Sequence, residues 1–452
     1  MTHDPSLTKQ INKSLDVSWK EGIPASVMLG ITDYYVTPFG LFLGATTQQI
    51  GFLVAIPQLL ASISQVFAAH FVRRVGSRLR FLVQMAFFQA ALLIPMALLS
   101  IIPLGYEINL LILLMIAFRV LGNLIATAWG SLVSDYLPPQ KRGHYFGWRA
   151  QVVGIAAFGS VALAGIILYF MKSINPGLGF LIIFLGAALC RFSSVWLLTK
   201  MVDLPLHHSP EFDFSFFDFM KRFRESNFVK FVLYVGSITF ATFISAPYIS
   251  VFILRDIRLD YLSYMAIQIS SVISSLIAFP IWGKHADLVG NARILKTTSL
   301  IIPVIPILWI LSPLFSYHLA YLMLIEMCAG FVWGGFNLCA TNFIYDAVSP
   351  EKRVRCLGYF NLINGTCLFA GATIGGFLAT ILPPLWGWSL LSLFLLSSLL
   401  RAAAHFLVSG QFKEVRDSTR KISSLRLFFS VVGIRPLEGL NREWNFFPPS
   451  GE

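Results

Sequence analysis

Twelve apolar runs, separated by charged or Pro/Gly-containing breaks, dominate the 452-residue chain; they start near residues 23, 50, 81, 108, 145, 178, 229, 259, 295, 319, 355 and 387. A helix crosses the hydrocarbon layer of a bilayer in about 20 residues, so each run is long enough to span it. Few folds accept such a pattern. In lipid every backbone N–H and C=O must be satisfied within the protein, which leaves helices or a closed barrel, and continuous apolar runs exclude the alternation a barrel needs. Only 12% of the residues are charged and the mean hydropathy is +0.72, where a soluble chain would carry about a quarter charged residues. The expected fold class is an all-α polytopic membrane protein with twelve transmembrane helices.

Lys and Arg are distributed unevenly between the breaks. "RRVGSRLR" after span two, "PPQKRGHYFGWR" after span four, "GKHADLVGNARILK" after span eight and "PEKRVR" after span ten are basic. "GATTQQ", "PLGYEI", "SPLFSYHLA" and "LPPLWGW" hold neither residue, and "LRDIRLDY" balances two Arg with two Asp. The positive-inside bias then puts both termini in the cytoplasm, and it accounts for the net charge of +12 with no nucleic-acid partner. The first 22 residues are polar and precede a full-length span, the wrong order for a cleavable signal peptide. The expected organisation is a cytoplasmic segment 1–22, a six-helix bundle 23–200, a cytoplasmic linker 201–228, a second bundle 229–409 and a cytoplasmic tail 410–452. The linker's "FDFSFFDFMKRFRESNF" and the tail's "SSLRLFFSVVGIRPLEGL" both suit a helix lying in the membrane interface.

The charged breaks repeat. Residues 134–149, "SDYLPPQKRGHYFGWR", return at 345–360 as "YDAVSPEKRVRCLGYF". A separation of 211 positions pairs Asp135 with Asp346, Pro139 with Pro350, Lys141 with Lys352, Arg142 with Arg353, Gly147 with Gly358, Gly154 with Gly365 and Gly165 with Gly376. The register holds from 135 to 165, and Arg191 aligns with Arg401 at a separation of 210, so the halves are copies of a six-span unit in the same orientation. The break after the second span of each half carries a pattern of the form G-x-x-x-D-[RK]-x-G-[RK]-[RK]. The second half has Gly283, Asp287 and Gly290; the first keeps Arg74, Gly76 and Arg78, with Ala69 for the leading Gly and Arg73 for the acid.

Over roughly residues 20–410 these features resemble the major facilitator superfamily of secondary transporters, built from parallel six-span repeats that rock about a central site. The resemblance implies that Asp287 docks at the start of span five, near His144 to Arg149, in the outward-facing state, a contact that Arg73 breaks in the other half. It implies a gating set of Arg73, Arg74, Gly76, Asp135, Arg142, Asp287, Gly290, Asp346 and Arg353.

Five ionisable residues sit inside spans: Asp33, Arg119, Arg191, Glu326 and Arg401. Each costs about 2.5–3.5 kcal/mol or more at mid-membrane unless paired or hydrated. Asp33 lies about ten residues, or roughly 15 Å, along span one, and Arg119 lies about as far down span four; the resemblance implies that these spans line one cavity, so the two can pair. Either they bind a proton and an anionic substrate, or they form a permanent structural pair. Glu326 faces no evident basic partner and is a second proton site or a group at a cavity mouth. Arg191 and Arg401 occupy equivalent places near the cytoplasmic ends of spans six and twelve, where snorkelling, or anchoring of the neighbouring charged loop, is expected over substrate contact. Further polar or aromatic cavity candidates are Tyr34, Gln58, Asn123, Trp129, Gln151, Asn337, Asn342, Asn361 and Asn364. Thr242 stands opposite Asp33 in the other half, so the acid is unduplicated.

Nothing in the sequence matches a G-x-x-x-x-G-K-[ST] phosphate loop, an H-E-x-x-H or clustered Cys/His site, or a G-x-S-x-G elbow. The five cysteines form no close pair. An enzyme, a metal site and a bound cofactor are therefore not expected. The fourth-span arginine motif R-x-x-x-G is shifted, with Gly122 early and Asn123 in its place, and a helix-five G-P-x-x-G-G antiporter run is absent. The reading is a monomeric secondary transporter in a bacterial inner membrane, moving a small anionic solute by proton-coupled alternating access. A lipid or lipid-linked flippase of the same fold, or a non-transporting receptor or scaffold, stays open.

Overall fold

The structure is a computed structural model describing residues 5–137, 139–204, 221, 225–348, 350–416 and 423–431. Among these it is helical, with no strand beyond an isolated bridge of Leu385 and Trp388. The first repeat consists of α1 (Pro5–Phe42), α2 (Thr47–Val75), α3 (Arg78–Leu98), α4 (Glu107–Tyr136), α5 (Pro139–Met171) and α6 (Pro176–Leu198). In the second repeat span seven is split into α7 (Asn227–Phe243), α8 (Ala246–Val251) and a π-helical turn (Phe252–Asp256). It continues with α9 (Tyr261–Val289), a divided span nine of α10 (Asn291–Ile301) and α11 (Val304–Ile310), α12 (Leu319–Ala347), α13 (Pro350–Ile381) and α14 (Ser389–Val408). A short α15 (Ser424–Val431) follows.

Ten stretches among the described residues are both long and apolar enough to cross a membrane, and α1 and α2, at 38 and 29 residues, complete twelve. Local chemistry sets the helix starts. Thr46 and Gln49 form a reciprocal capping box before α2, Ser77 caps α3, and Asn175 followed by Pro176 opens α6. The two repeated breaks "PQKR" and "PEKR" are the first turns of α5 and α13, which begin at Pro139 and Pro350, ahead of the spans expected from 145 and 355. Proline at the first helical turn needs no N–H partner, so the helix starts there and runs on into the apolar segment.

The chain divides into two compact units. Unit 1 holds Met1–Pro210, Ala246–Ala266 and Leu368–Ile381; unit 2 holds Glu211–Ser245, Ile267–Cys367 and Leu382–Glu452. Within unit 1, α1 packs on α5 and α6, α2 on α4, and α3 on α4 and α6, around a core that includes Ala68, Phe81, Leu82, Leu124, Leu132 and Leu198. Within unit 2, α10 packs on α12 and α7 on α14, around Phe231, Tyr234, Trp282, Phe336 and Phe343. Large apolar side chains such as Leu113, Ile155, Leu189 and Phe406 point outward, as a lipid-facing surface requires.

The tail departs from expectation. Leu427 and Val431 of α15 belong to the buried core of unit 2, so the described part of the tail is built into the bundle. The linker segment expected as an interfacial helix lies outside the described residues, apart from a few positions at its ends.

Candidate functional site

Asp33 and Arg119 meet. The Arg119 Nη2 lies 2.7 Å from Asp33 Oδ1, with 30% and 43% of the two side chains exposed. Both project from the middle of long helices, and charges there cannot face lipid without great cost, so this accessible pair calls for water or a polar ligand. Asn123 follows Arg119 by four residues and lies on the same face of α4. The neighbouring turn of α1 is fixed by tyrosines: Tyr35 donates to the Val161 carbonyl at 2.7 Å, and Tyr264 donates to the Tyr34 carbonyl at 3.0 Å.

Nearer the start of α1 lies a second charged cluster that sequence reasoning missed. Glu21 is buried, with Arg149 of α5 at 3.5 Å and Arg191 of α6 at 3.6 Å from its two carboxylate oxygens. Ser194 donates to Glu21 at 2.7 Å and accepts from Arg191 at 2.9 Å, while Arg149 also donates to the Ser18 carbonyl. The Arg149 guanidinium lies 4.0 Å over the ring of Trp129, a cation–π contact tying the cluster to α4. Arg191 is therefore a buried ion-pair member, contrary to the expected snorkelling. A side chain held by the Ser194 hydroxyl and the Glu21 carboxylate gains more from them than from reaching the interface.

In unit 2, Arg401 is also buried and corrects the same expectation. Its Nε donates to Ser397 at 3.1 Å, and its Nη2 donates to Ser245 at 3.0 Å and to the Thr242 carbonyl at 3.4 Å. Ser397 in turn donates to the Ala241 carbonyl at 2.6 Å. Those carbonyls end α7 at the break in span seven, where helix-end carbonyls in a membrane must find donors; the Thr242 carbonyl also accepts from the Ser245 amide at 3.1 Å. Arg401 also donates to the Ile302 carbonyl at 3.5 Å, at the break in span nine. Glu326 of α12 is buried, with its carboxylate bonded by Ser271 and Trp309.

The repeated acids are paired within their own units. Asp135 is held by Arg78 at 2.7 Å, and Arg78 also donates to Ser131 and the Leu204 carbonyl. Asp346 accepts from Asn291 at 2.7 Å and from Arg416 at 2.7 Å; Asp287 lies 3.5 Å from the same Arg416. Gly76 and Gly290 hold the two turns in left-handed backbone, at φ 76° and 86°. Arg73 and Arg74 are exposed at the end of α2. The side chains of Arg142 and Arg353 lie outside the described residues.

The remaining candidates do not form one constellation. Asn364 donates to the Phe360 carbonyl and accepts from Thr239, both at 3.0 Å. Gln58, Asn342 and Asn361 are half-buried, whereas Gln151 and Asn337 are exposed. Trp129 has a buried Nε1 with no hydrogen-bond partner among the described residues. The five thiols are free, and no group of His, Cys, Asp or Glu among the described residues is placed to hold a metal.

Two six-span repeats with an accessible ion pair at mid-helix define a polytopic membrane transporter fold. The family model "Major Facilitator Superfamily" matches residues 23–372, and the chain belongs to that family. None of the curated protein sequences matches. Among solved structures, a point variant of the nucleoside transporter NupG is similar at TM-score 0.68 and 13% identity, over 88% of this chain and 100% of that one. A bacterial homolog of the human lysosomal transporter Spinster, inward-facing and unoccupied, is similar at TM-score 0.64 and 15% identity, over 91% and 99%. A bacterial homologue of the iron transporter ferroportin, inward-facing, is similar at TM-score 0.63 and 13% identity, over 88% and 98%. At such identities these likenesses speak for the fold alone.

Proposed function

We infer that the protein is a secondary active transporter that moves a small anionic solute by alternating access, coupled to protons. The observation that carries this reading is the exposed Asp33–Arg119 pair. In this scheme Arg119 is the handle for an anionic group and Asp33 is the proton acceptor. While the solute is absent, Asp33 and Arg119 hold each other; when an anion takes the guanidinium, the carboxylate loses its partner and takes the proton. Exchange of partners at one place links the two fluxes without a nucleotide. Asn123, one turn along α4, is placed to hydrogen-bond the same ligand. The buried Glu326 of α12 is a second proton-binding candidate.

The test is uptake by proteoliposomes under an imposed pH gradient, screened across carboxylate and phosphate metabolites. Wild type is expected to accumulate one class of anion. Asp33→Asn is expected to abolish accumulation while leaving exchange of solute for solute, because the neutral amide cannot carry a proton. Undiminished, still pH-driven uptake by Asp33→Asn would refute the coupling role. Scrambling of labelled lipid with no solute uptake would instead identify a flippase.

A further inference from the structure

The internal repeat supplies its own control for what the tail does. In the first repeat Ser77 caps α3 by accepting from the Arg80 amide, Asp203 of the segment after α6 accepts from the Leu79 amide at 3.4 Å, and Arg78, buried in the first turn of α3, clamps Asp135 at the foot of α4. In the second repeat, aligning Gly76 with Gly290 puts Ala292 at the place of Arg78, and α10 begins at a glycine with no side-chain cap. Asn291 of α10 holds Asp346 at 2.7 Å, but the charged clamp and the carboxylate cap both come from the segment after α14. Glu414 accepts from the Ala292 amide at 2.7 Å, capping α10, and Arg416 grips Asp346 through Nε at 2.7 Å and Nη2 at 3.0 Å. The same guanidinium reaches Asp287 at the end of α9.

The segment is docked by more than these charges. Phe412 is fully buried, 4.9 Å from the Tyr234 ring and 5.6 Å from Phe343, with the Lys296 ammonium over its face and bonded to its carbonyl. The side-chain amide of Asn227 bonds the backbone of Lys413 twice, at 2.7 and 2.8 Å. The charged end is different in kind. Arg416 is 42% exposed and Asp287 78%, so solvent and salt reach this grip, whereas Arg78 is 3% exposed.

We propose that residues 411–416 form a strap, anchored at Phe412 and releasable at Glu414–Arg416, that sets how readily the second repeat loosens at this end. In the first repeat the segment after α6 also caps α3, but the clamping arginine is a buried part of α3 itself, so that clamp does not leave with the segment. Release withdraws the cap from α10 and the guanidinium from Asp346 together, and frees Asp287 at the same moment.

Hydrogen exchange by mass spectrometry on the full-length protein in detergent tests this, comparing wild type with the double variant Glu414→Gln/Arg416→Ala. Amides of 290–296 and 340–348 should exchange several-fold faster, with those of 77–83 and 130–137 unchanged. Raising wild type to about 0.5 M NaCl should shift the second-repeat segments alone in the same direction, since half-exposed pairs are screened at that strength. No acceleration at 290–296 overturns the proposal. So does an equal rise across unit 2 with a matching fall in thermal midpoint, which would make the strap an ordinary part of the fold. If the double variant does not purify, Arg416→Lys, which keeps the charge and loses the fork, should give the same local change at smaller amplitude. An Arg416→Lys profile identical to wild type in low and high salt is equally fatal.

Discussion

The clearest contrast at the scale of single residues is between Asp33 and Glu21. Both are acids on α1 paired to guanidinium groups, yet only Asp33 was visible in the sequence. Asp33 stands inside an apolar run, where a charge is costly enough to announce a partner. Glu21 stands at the end of a polar segment, where an acid carries no such message, and only its burial against Arg149 and Arg191 reveals it. The two also differ in what they tolerate. Glu21→Gln would leave two buried guanidinium groups without their carboxylate, a loss of about 3–5 kcal/mol when one member of a buried pair is removed. The expected result is a sharp fall in thermal midpoint in detergent. Asp33→Asn, at a solvated pair, should cost at most about 1 kcal/mol and leave the midpoint close to wild type. Equal midpoints for the two variants would contradict this division between a structural and a functional carboxylate.

At the scale of elements, the breaks in spans seven and nine were hidden because hydropathy averages over them. Pro247 and Pro303 were the available signals, and proline inside a membrane helix is common enough to pass unnoticed. Arg401 is the counterpart of those breaks. A buried arginine at the inner end of span twelve reads in sequence as a snorkelling charge, but its donors serve carbonyls at both discontinuities. Arg401→Leu is therefore expected to destabilise by several kcal/mol, each stranded buried group costing about 1–3 kcal/mol. Arg401→Lys should recover little, since one ammonium cannot reach Ser397, Ser245 and the Thr242 carbonyl in the same fork. Melting curves that rank the lysine variant with wild type would show that charge, and not donor geometry, matters there.

At the scale of the whole molecule, the duplication was legible because two copies of one charged phrase keep a fixed spacing from residue 135 to 165. That register gave the six-plus-six organisation and, with the uneven Lys and Arg, an expected orientation. Cysteines introduced at Thr46 and Ser173 should react with an impermeant maleimide added to intact bacterial cells, and a cysteine at Arg74 only after lysis. The opposite pattern would reverse the orientation and place both termini outside. What the register could not convey is where the copies diverge in function. Alignment shows Ala292 facing Arg78 as a simple loss, and nothing in the linear order says that a residue more than a hundred positions later repairs it.

That repair has a practical side. A shortened chain ending at Val408 would keep all twelve crossings and look complete on a hydropathy plot. It would also lack Phe412, Leu427 and Val431 from its buried interior. Reporter fusions and trimmed versions of the protein should therefore join beyond Val431, or they will describe a damaged molecule.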